Sequence, residues 1–193
     1  ISIIDEYPKG RQKIDTYCVD SSYRSRIYNY IKKFLNEGRQ AYIVCPLVEE
    51  NETLDITSAQ EYYEKLKNGD FKDYSVGLLH GKMKPKEKDR IMRDFSDGKI
   101  QLLIATTVIE VGIDVPNAVV MLIENAERFG LSQLHQLRGR IGRGKYKSSC
   151  ILISDSRSAD TKKRLNVIKN SCDGFRIADE DFKLRGPGDF LGN

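Results

Sequence analysis

Short runs of apolar and β-branched residues recur along the chain at positions 13–19, 41–45, 74–79, 100–106, 118–124 and 149–154. Each is bounded by polar or turn-forming residues and is too short for a stable helix, so each predicts a strand. Between them the runs give way to amphipathic periods, which predict helices over 22–37, 58–67, 86–95 and 132–143. In the first helix Ile27, Tyr30, Ile31, Phe34 and Leu35 repeat at i, i+3, i+4, i+7 and i+8, and Gly38 is a stop signal. In the third, Pro85 stands near the start, Ile91 and Phe95 make an i, i+4 pair, and Gly98 follows the end. Strands alternating with helices of this length predict an α/β fold, a parallel sheet with helices on both faces. Right-handed crossovers then set the loops that follow the strands along one edge, where such sheets bind ligands.

From Ser156 onward the alternation stops. Helices are expected over 157–169 and 177–184, and Arg185-Gly186-Pro187-Gly188-Asp189 ends regular structure in a tight turn. The expected organisation is one large α/β domain over residues 1–155 and a helical appendage over 156–193. The acidic stretch Glu49, Glu50, Glu52 and Asp55 reads as a solvated loop.

Composition changes this picture only by exclusion. Apolar residues are 39% of the chain against 31% charged, enough to build a core and too many for a disordered segment. The longest unbroken apolar run is the six residues 118–123, which leaves no bilayer-spanning helix and no membrane partner. Cys18, Cys45, Cys150 and Cys172 stand far apart, with no C-x-x-C spacing and no histidine cluster, and are expected as reduced thiols rather than a disulfide or zinc site. No secretory or transit pattern opens the chain, which starts at Ile1 and so reads as a fragment of something longer. A net charge of +4 is too small to identify a nucleic-acid binder, so the placement of charge decides.

Two basic stretches stand out. Residues 136–147 hold five basic residues in twelve with no acid. Extended as a helix from Ser132, this segment puts Leu134, Leu137 and Ile141 on one face and Gln136, Arg140 and Arg143 on the other. Gly139 and Gly142 would each cost about 1 kcal/mol inside that helix, which suggests a close approach by a neighbour or a ligand. Guanidinium groups on one face suit a polyphosphate; the plainer alternative is a solvated basic face. Residues 82–93 carry six Lys or Arg after the strand that ends at Leu79-His80-Gly81, and suit either a nucleic-acid backbone or solvent. A third constellation is Thr106 to Pro116, where hydroxyls and amides at a strand end can hold a phosphate. Gly112 there permits a close turn, and Asp114 offers a carboxylate to ribose hydroxyls; the alternative is a tight crossover loop. No P-loop pattern is present, and His80 and His135 are the only histidines.

At these residues the chain resembles a known family. Thr106-Thr-Val-Ile-Glu-Val-Gly-Ile-Asp-Val-Pro116 resembles motif V of superfamily 2 helicases, and Gln136-Leu-Arg-Gly-Arg-Ile-Gly-Arg143 resembles motif VI. The wider run from Ile123 to Gly144, with Cys45 to Glu50, Leu78 to Met83 and Ala178 to Gly188, is similar to the bacterial branch-migration helicases of that superfamily. The resemblance covers nearly the whole chain. It implies a RecA-like second motor domain that shares ATP and Mg2+ with a first motor domain. That first domain, which supplies the P-loop and the Mg2+ ligands, and an amino-terminal wedge domain are absent from these residues, and no metal site is expected in the chain itself.

By position, the resemblance makes Arg143 the arginine finger on the γ-phosphate and Arg140 its partner. Gln136, Gly112 and Asp114 become nucleotide contacts, while Thr106, His80, Gly81 and Lys88 become DNA-backbone contacts, Lys88 standing where relatives commonly have arginine. Arg185 and Gly186 fall in a translocation motif that is incomplete here. The implied activity is ATP-dependent remodelling of branched double-stranded DNA, at stalled forks and Holliday junctions, in the bacterial cytoplasm in association with the nucleoid. The nearer alternative is the motor of a transcription-repair coupling translocase, against which the Glu124 to Glu127 run and the Arg185-Gly-Pro-Gly188 turn weigh. The more distant alternative is a non-catalytic nucleic-acid-binding module.

Overall fold

In a computed structural model of the chain, residues 14–47, 51–106 and 114–170 are described. Expectations for Gly112, Cys172, Glu49, Glu50, Arg185, Gly186 and a helix over 177–184 lie outside those residues.

Six strands form one sheet: β1 (Ile14–Val19), β2 (Gln40–Val44), β3 (Val76–Leu79), β4 (Leu102–Ala105), β5 (Ala118–Ile123) and β6 (Ser148–Ile153). They lie in the order β1-β6-β5-β2-β4-β3, and every pairing is parallel. The helices are α1 (Arg24–Asn36), α2 (Glu52–Asn68), α3 (Pro85–Ser96), α4 (Leu131–Arg138) and α5 (Ala159–Asn170).

β2, β4, β5 and β6 are buried at every position, which is why they read as continuous apolar runs rather than as alternation. The period of two is present but both sides are covered. Ala41, Ile43, Leu102, Ile104, Val120 and Leu122 face a core with Ile27 and Ile31 of α1 and Leu66 of α2. Tyr42, Val44, Leu103, Ala105, Met121 and Ile123 face the other, with Phe95 of α3, Leu134 and Leu137 of α4, and Leu165 and Ile168 of α5. Each fully buried side chain of this size contributes about 1.5–3 kcal/mol, so the two cores are the main source of stability.

Two predicted helices change. α2 begins at Glu52 rather than at 58, because Asn51 caps it: its Oδ1 accepts the Thr53 N–H at 2.8 Å. Asp55, expected in a solvated loop, therefore lies on a helix and is buried. α4 ends at Arg138 rather than reaching 143, because the chain tightens into successive three-residue turns, with Arg140 N–H donating to Leu137 O at 2.9 Å and Ile141 N–H to Arg138 O at 3.2 Å. Gly142 then takes φ +76°, a left-handed conformation that glycine adopts without strain. The two glycines end the helix; they do not weaken its interior. α5 packs on β1 and α4, and no disulfide joins Cys18, Cys45 and Cys150.

Tyr42 is 1% exposed, and burial pushes its phenol up to about 12 from 10. A proton held more tightly by the folded state stabilises fully below the unfolded value and ceases to do so as pH rises through the folded one. Thermal midpoints should therefore fall between pH 10 and 12, and less steeply in Tyr42→Phe than in the parent. Equal slopes in the two proteins would mean that Tyr42 ionises freely.

Candidate functional site

The chain after α4 makes a compact turn rich in arginine. Gly130 N–H donates to Gln133 Oε1 at 2.9 Å and starts the helix, while Leu134, Leu137 and Ile141 anchor it in the core. Beyond Arg138 the chain leaves the helix, so Gln136, Arg140 and Arg143 do not share the helical face that their spacing implied. Gln136 is exposed on α4, and Arg140 and Arg143 are half-buried in the turn that follows. Arg143 folds back, its Nε donating to Gly139 O at 2.8 Å, and its Nη1 lies 3.2 Å from Asp114 Oδ1. Arg140 stands three residues before Arg143 in the same turn.

The turn is anchored on both sides. Gly142 N–H donates to Ser148 Oγ at 3.1 Å, at the start of β6. A Cβ on Gly144 would stand 2.7 Å from Pro116 O, so the turn and the segment after Asp114 touch through backbone.

A second group lies at the carboxyl edge of the sheet, where β3 and β4 end. Thr106 N–H donates to Leu79 O at 3.2 Å and binds the two strand ends together. Thr106 is 1% exposed, and its Oγ1 has no hydrogen-bond partner among the described residues, an omission that costs about 1–3 kcal/mol. His80 is buried, and its Nδ1 accepts the Lys82 N–H at 3.2 Å, which shapes the turn at Gly81. α3 starts from this turn at Pro85; Lys82, Lys84, Lys86 and Arg90 are exposed and Lys88 is half-buried.

Thr106 and Asp114 are thus not brought together. Thr106 follows the carboxyl end of β4, whereas Asp114 precedes β5, whose amino end lies at the opposite edge of a parallel sheet. The structure joins Asp114 with Arg143, in the turn that also carries Arg140, and separately sets Thr106 beside the strand end that leads into His80 and Gly81.

Sequence reasoning missed two buried polar groups. Arg138, counted among the basic residues of the turn, is 5% exposed; it donates to Ile168 O at 2.7 Å and so fastens α5 to α4. Its Nη2 also lies 3.3 Å from His135 Nδ1, which accepts only from a neutral ring; burial and then the Arg138 charge hold the His135 pKa below its usual value. At the carboxyl end of β5, Glu124 accepts from Arg24 at 2.5 and 3.2 Å and from the Tyr62 phenol at 2.7 Å, with Tyr28 bonded to Tyr62. The Arg24 guanidinium holds its proton more tightly through the Glu124 hydrogen bond. An acid and a base one hundred residues apart give no local pattern, so spacing along the chain has no signal for this pair.

An α/β domain with an arginine turn on one side of its sheet and a basic helix at the carboxyl edge has the architecture of a helicase motor domain. Residues 25–145 match the helicase conserved C-terminal domain, and the chain belongs to that family. It is 50% identical over 192 residues to the ATP-dependent DNA helicase RecG of Bacillus subtilis, an alignment covering 100% of this chain and 28% of that protein. It is 49% identical over 193 residues to the RecG of Escherichia coli K12, covering 99% and 28%. A solved structure of RecG bound to a three-way DNA junction matches with a TM-score of 0.74 and 45% identity, over 95% of this chain and 24% of that one. The C-terminal domain of the DEAD-box protein Dbp5 matches with a TM-score of 0.57 and 20% identity, over 87% and 86%, a likeness of fold alone. The fold is therefore the RecA-like helicase C-terminal domain, as the motif resemblance implied. The chain spans about 28% of the length of these two curated relatives.

Arg138→Met should lower stability by about 1.5–3 kcal/mol, the worth of hydrogen bonds from a charged group. Amide exchange in Ala159–Asn170 should accelerate more than exchange in β2. Unchanged exchange in α5 would mean that the Arg138 contact does not fasten it.

Proposed function

We propose that this chain is the second motor domain of an ATP-dependent double-stranded DNA translocase and helicase that remodels branched DNA in recombination and repair. Stalled forks and Holliday junctions are its substrates in this reading. The observation that carries it is the partly exposed ion pair of Arg143 with Asp114, in the turn that also carries Arg140. The RecG relatives, matched over the whole chain, favour this reading over a transcription-repair coupling motor.

A first motor domain, with a P-loop and the Mg2+ ligands, would hold ATP and Mg2+ against this turn. Two guanidinium groups and a carboxylate fit a nucleotide presented from outside: the arginines match the phosphate oxygens and Asp114 matches the ribose hydroxyls. ATP hydrolysis adds water to the γ-phosphorus and breaks its bond to the ADP oxygen, with negative charge spread over the phosphoryl oxygens and the leaving group. Arg143 neutralises that charge when the two domains close, and Arg140 holds the same phosphates. To reach them Arg143 gives up Asp114. That ion pair has side chains 34% and 59% exposed, and such pairs contribute about 0–1 kcal/mol, so the exchange costs little. Release of Asp114 then leaves its carboxylate for the ribose. Gln136 and Gly112 complete the nucleotide contacts.

DNA runs past the other edge. His80, Gly81, Lys88 and Thr106 touch one strand's phosphates, joined by the exposed lysines of α3, and position the duplex without reading its bases. Residues 156–193, with Arg185 and Gly186, form the start of a translocation segment attached to the motor domain 1–155, and work in the bacterial cytoplasm at the nucleoid.

In the full-length protein Arg143→Ala should lower DNA-stimulated ATPase kcat by about 10³-fold, the lower end for loss of an arginine finger, with junction affinity kept. An unchanged kcat would remove the finger assignment. Residues 1–193 alone should show no ATPase above background, and robust turnover by that purified fragment would contradict the division of labour between two domains.

A further inference from the structure

Four residues to which the sequence reading gave no role, Arg39, Gln40, Asn117 and Tyr146, meet near the amino edge of the sheet, beside the Asp114–Arg143 pair. The chain leaves α1 and turns through Gly38, φ +87°, into β2. Asn117 Nδ2 donates to Gly38 O at 2.8 Å and to Gln40 Oε1 at 3.1 Å. Gln40 is 3% exposed; its Nε2 donates to Phe95 O at 2.5 Å and to Ile100 O at 2.8 Å, and its backbone N–H donates to Asn117 O at 2.9 Å. Between these two, Arg39 lays its guanidinium over the Tyr146 ring, 3.8 Å from the centroid.

The positions matter. Asn117 comes three residues after Asp114 and Tyr146 three residues after Arg143, and Gly144 meets Pro116 between them, where a Cβ would stand 2.7 Å from the carbonyl oxygen. One short segment, residues 38–40, therefore grips both the chain that carries Asp114 and the chain that carries Arg143. A guanidinium on a flexible stem reaches a phosphate in line only if its backbone is fixed, and a misplacement of about 1 Å costs about 100-fold in rate.

We propose that Arg39, Gln40, Asn117 and Tyr146 form a positioning clamp that sets the separation of Asp114 and Arg143 and so aims the arginine finger. None of the four touches nucleotide; they act through Arg143, and the proposal rests on the reading of Arg143 given above. The clamp is built on the α1–β2 turn, so the geometry of the finger is tied to the sheet itself.

The test is a double-mutant cycle in the full-length protein, read as DNA-stimulated ATPase kcat and KM for ATP well below the melting temperature. Tyr146 is 37% exposed, so its substitution leaves the core intact. Tyr146→Ala and Asn117→Ala should each lower kcat about 10-fold, with KM within about 2-fold of the parent, and Tyr146→Phe, which keeps the ring, should restore the rate. In an Arg143→Ala background neither should lower kcat further. Full multiplicative losses in that background would overturn the clamp, as would single variants with parental kcat where Arg143→Ala is impaired. A parental kcat for Arg143→Ala itself would overturn the finger reading and, with it, the clamp.

Discussion

Burial of a parallel sheet on both faces governs where this chain can place chemistry. Four of the six strands are buried at every position, and their backbone groups are consumed by parallel pairing. A polar side chain in the body of such a sheet would lose its water without a partner, so functional groups are driven to the strand ends and to the turns beside them. The result is two separate polar regions. His80 and Thr106 stand where β3 and β4 end, and Gln40 and Asn117 stand where β2 and β5 begin.

That separation suits a motor. Thr106 stands at one edge and Asp114 near the other, so the proposed DNA contacts and the proposed nucleotide contacts lie at opposite edges of one sheet. Strands packed on two cores hold these two edges at a fixed separation, so a displacement of one is passed to the other rather than absorbed. The arginine turn is placed with the same economy: Ile141 in the core, Gly142 on Ser148 and Gly144 on Pro116 fix its backbone, while its guanidinium groups stay accessible. The ion pair of Arg143 with Asp114 is partly exposed, and such a pair contributes about 0–1 kcal/mol.

The order of strands and helices was legible because both periods are strong. Ile27, Ile31 and Leu35 fall on the buried side of α1 as their spacing requires, and the apolar runs of β2, β4, β5 and β6 mark strands covered on both sides. The helix through Arg143 was misread because Leu134, Leu137 and Ile141 keep a helical spacing, and Ile141 is indeed buried, although the chain reaches it through tight turns after Gly139. Hydrophobic period cannot distinguish those two routes. The start of α2 was missed because Leu54 points to solvent, at 53% exposed, and the cap at Asn51 is a single hydrogen bond rather than a pattern. Residue types told the arginines from the lysines, but only the fold separated Arg138, which holds α5, from Arg140 and Arg143, which are half-buried in the turn that follows α4. The clamp around Gln40 draws on residues 39, 40, 117 and 146, a set with no periodicity to detect.

The central claim is that Arg143 leaves Asp114 for the nucleotide's phosphates when the motor domains close. The most direct measurement is a structure of the full-length protein with DNA, Mg2+, ADP and an aluminium fluoride mimic of the transferred phosphoryl group. The account predicts the Arg143 guanidinium within hydrogen-bond distance of the fluorides, with Asp114 turned to the ribose. An Arg143 still paired with Asp114 and directed away from the bound nucleotide would contradict it.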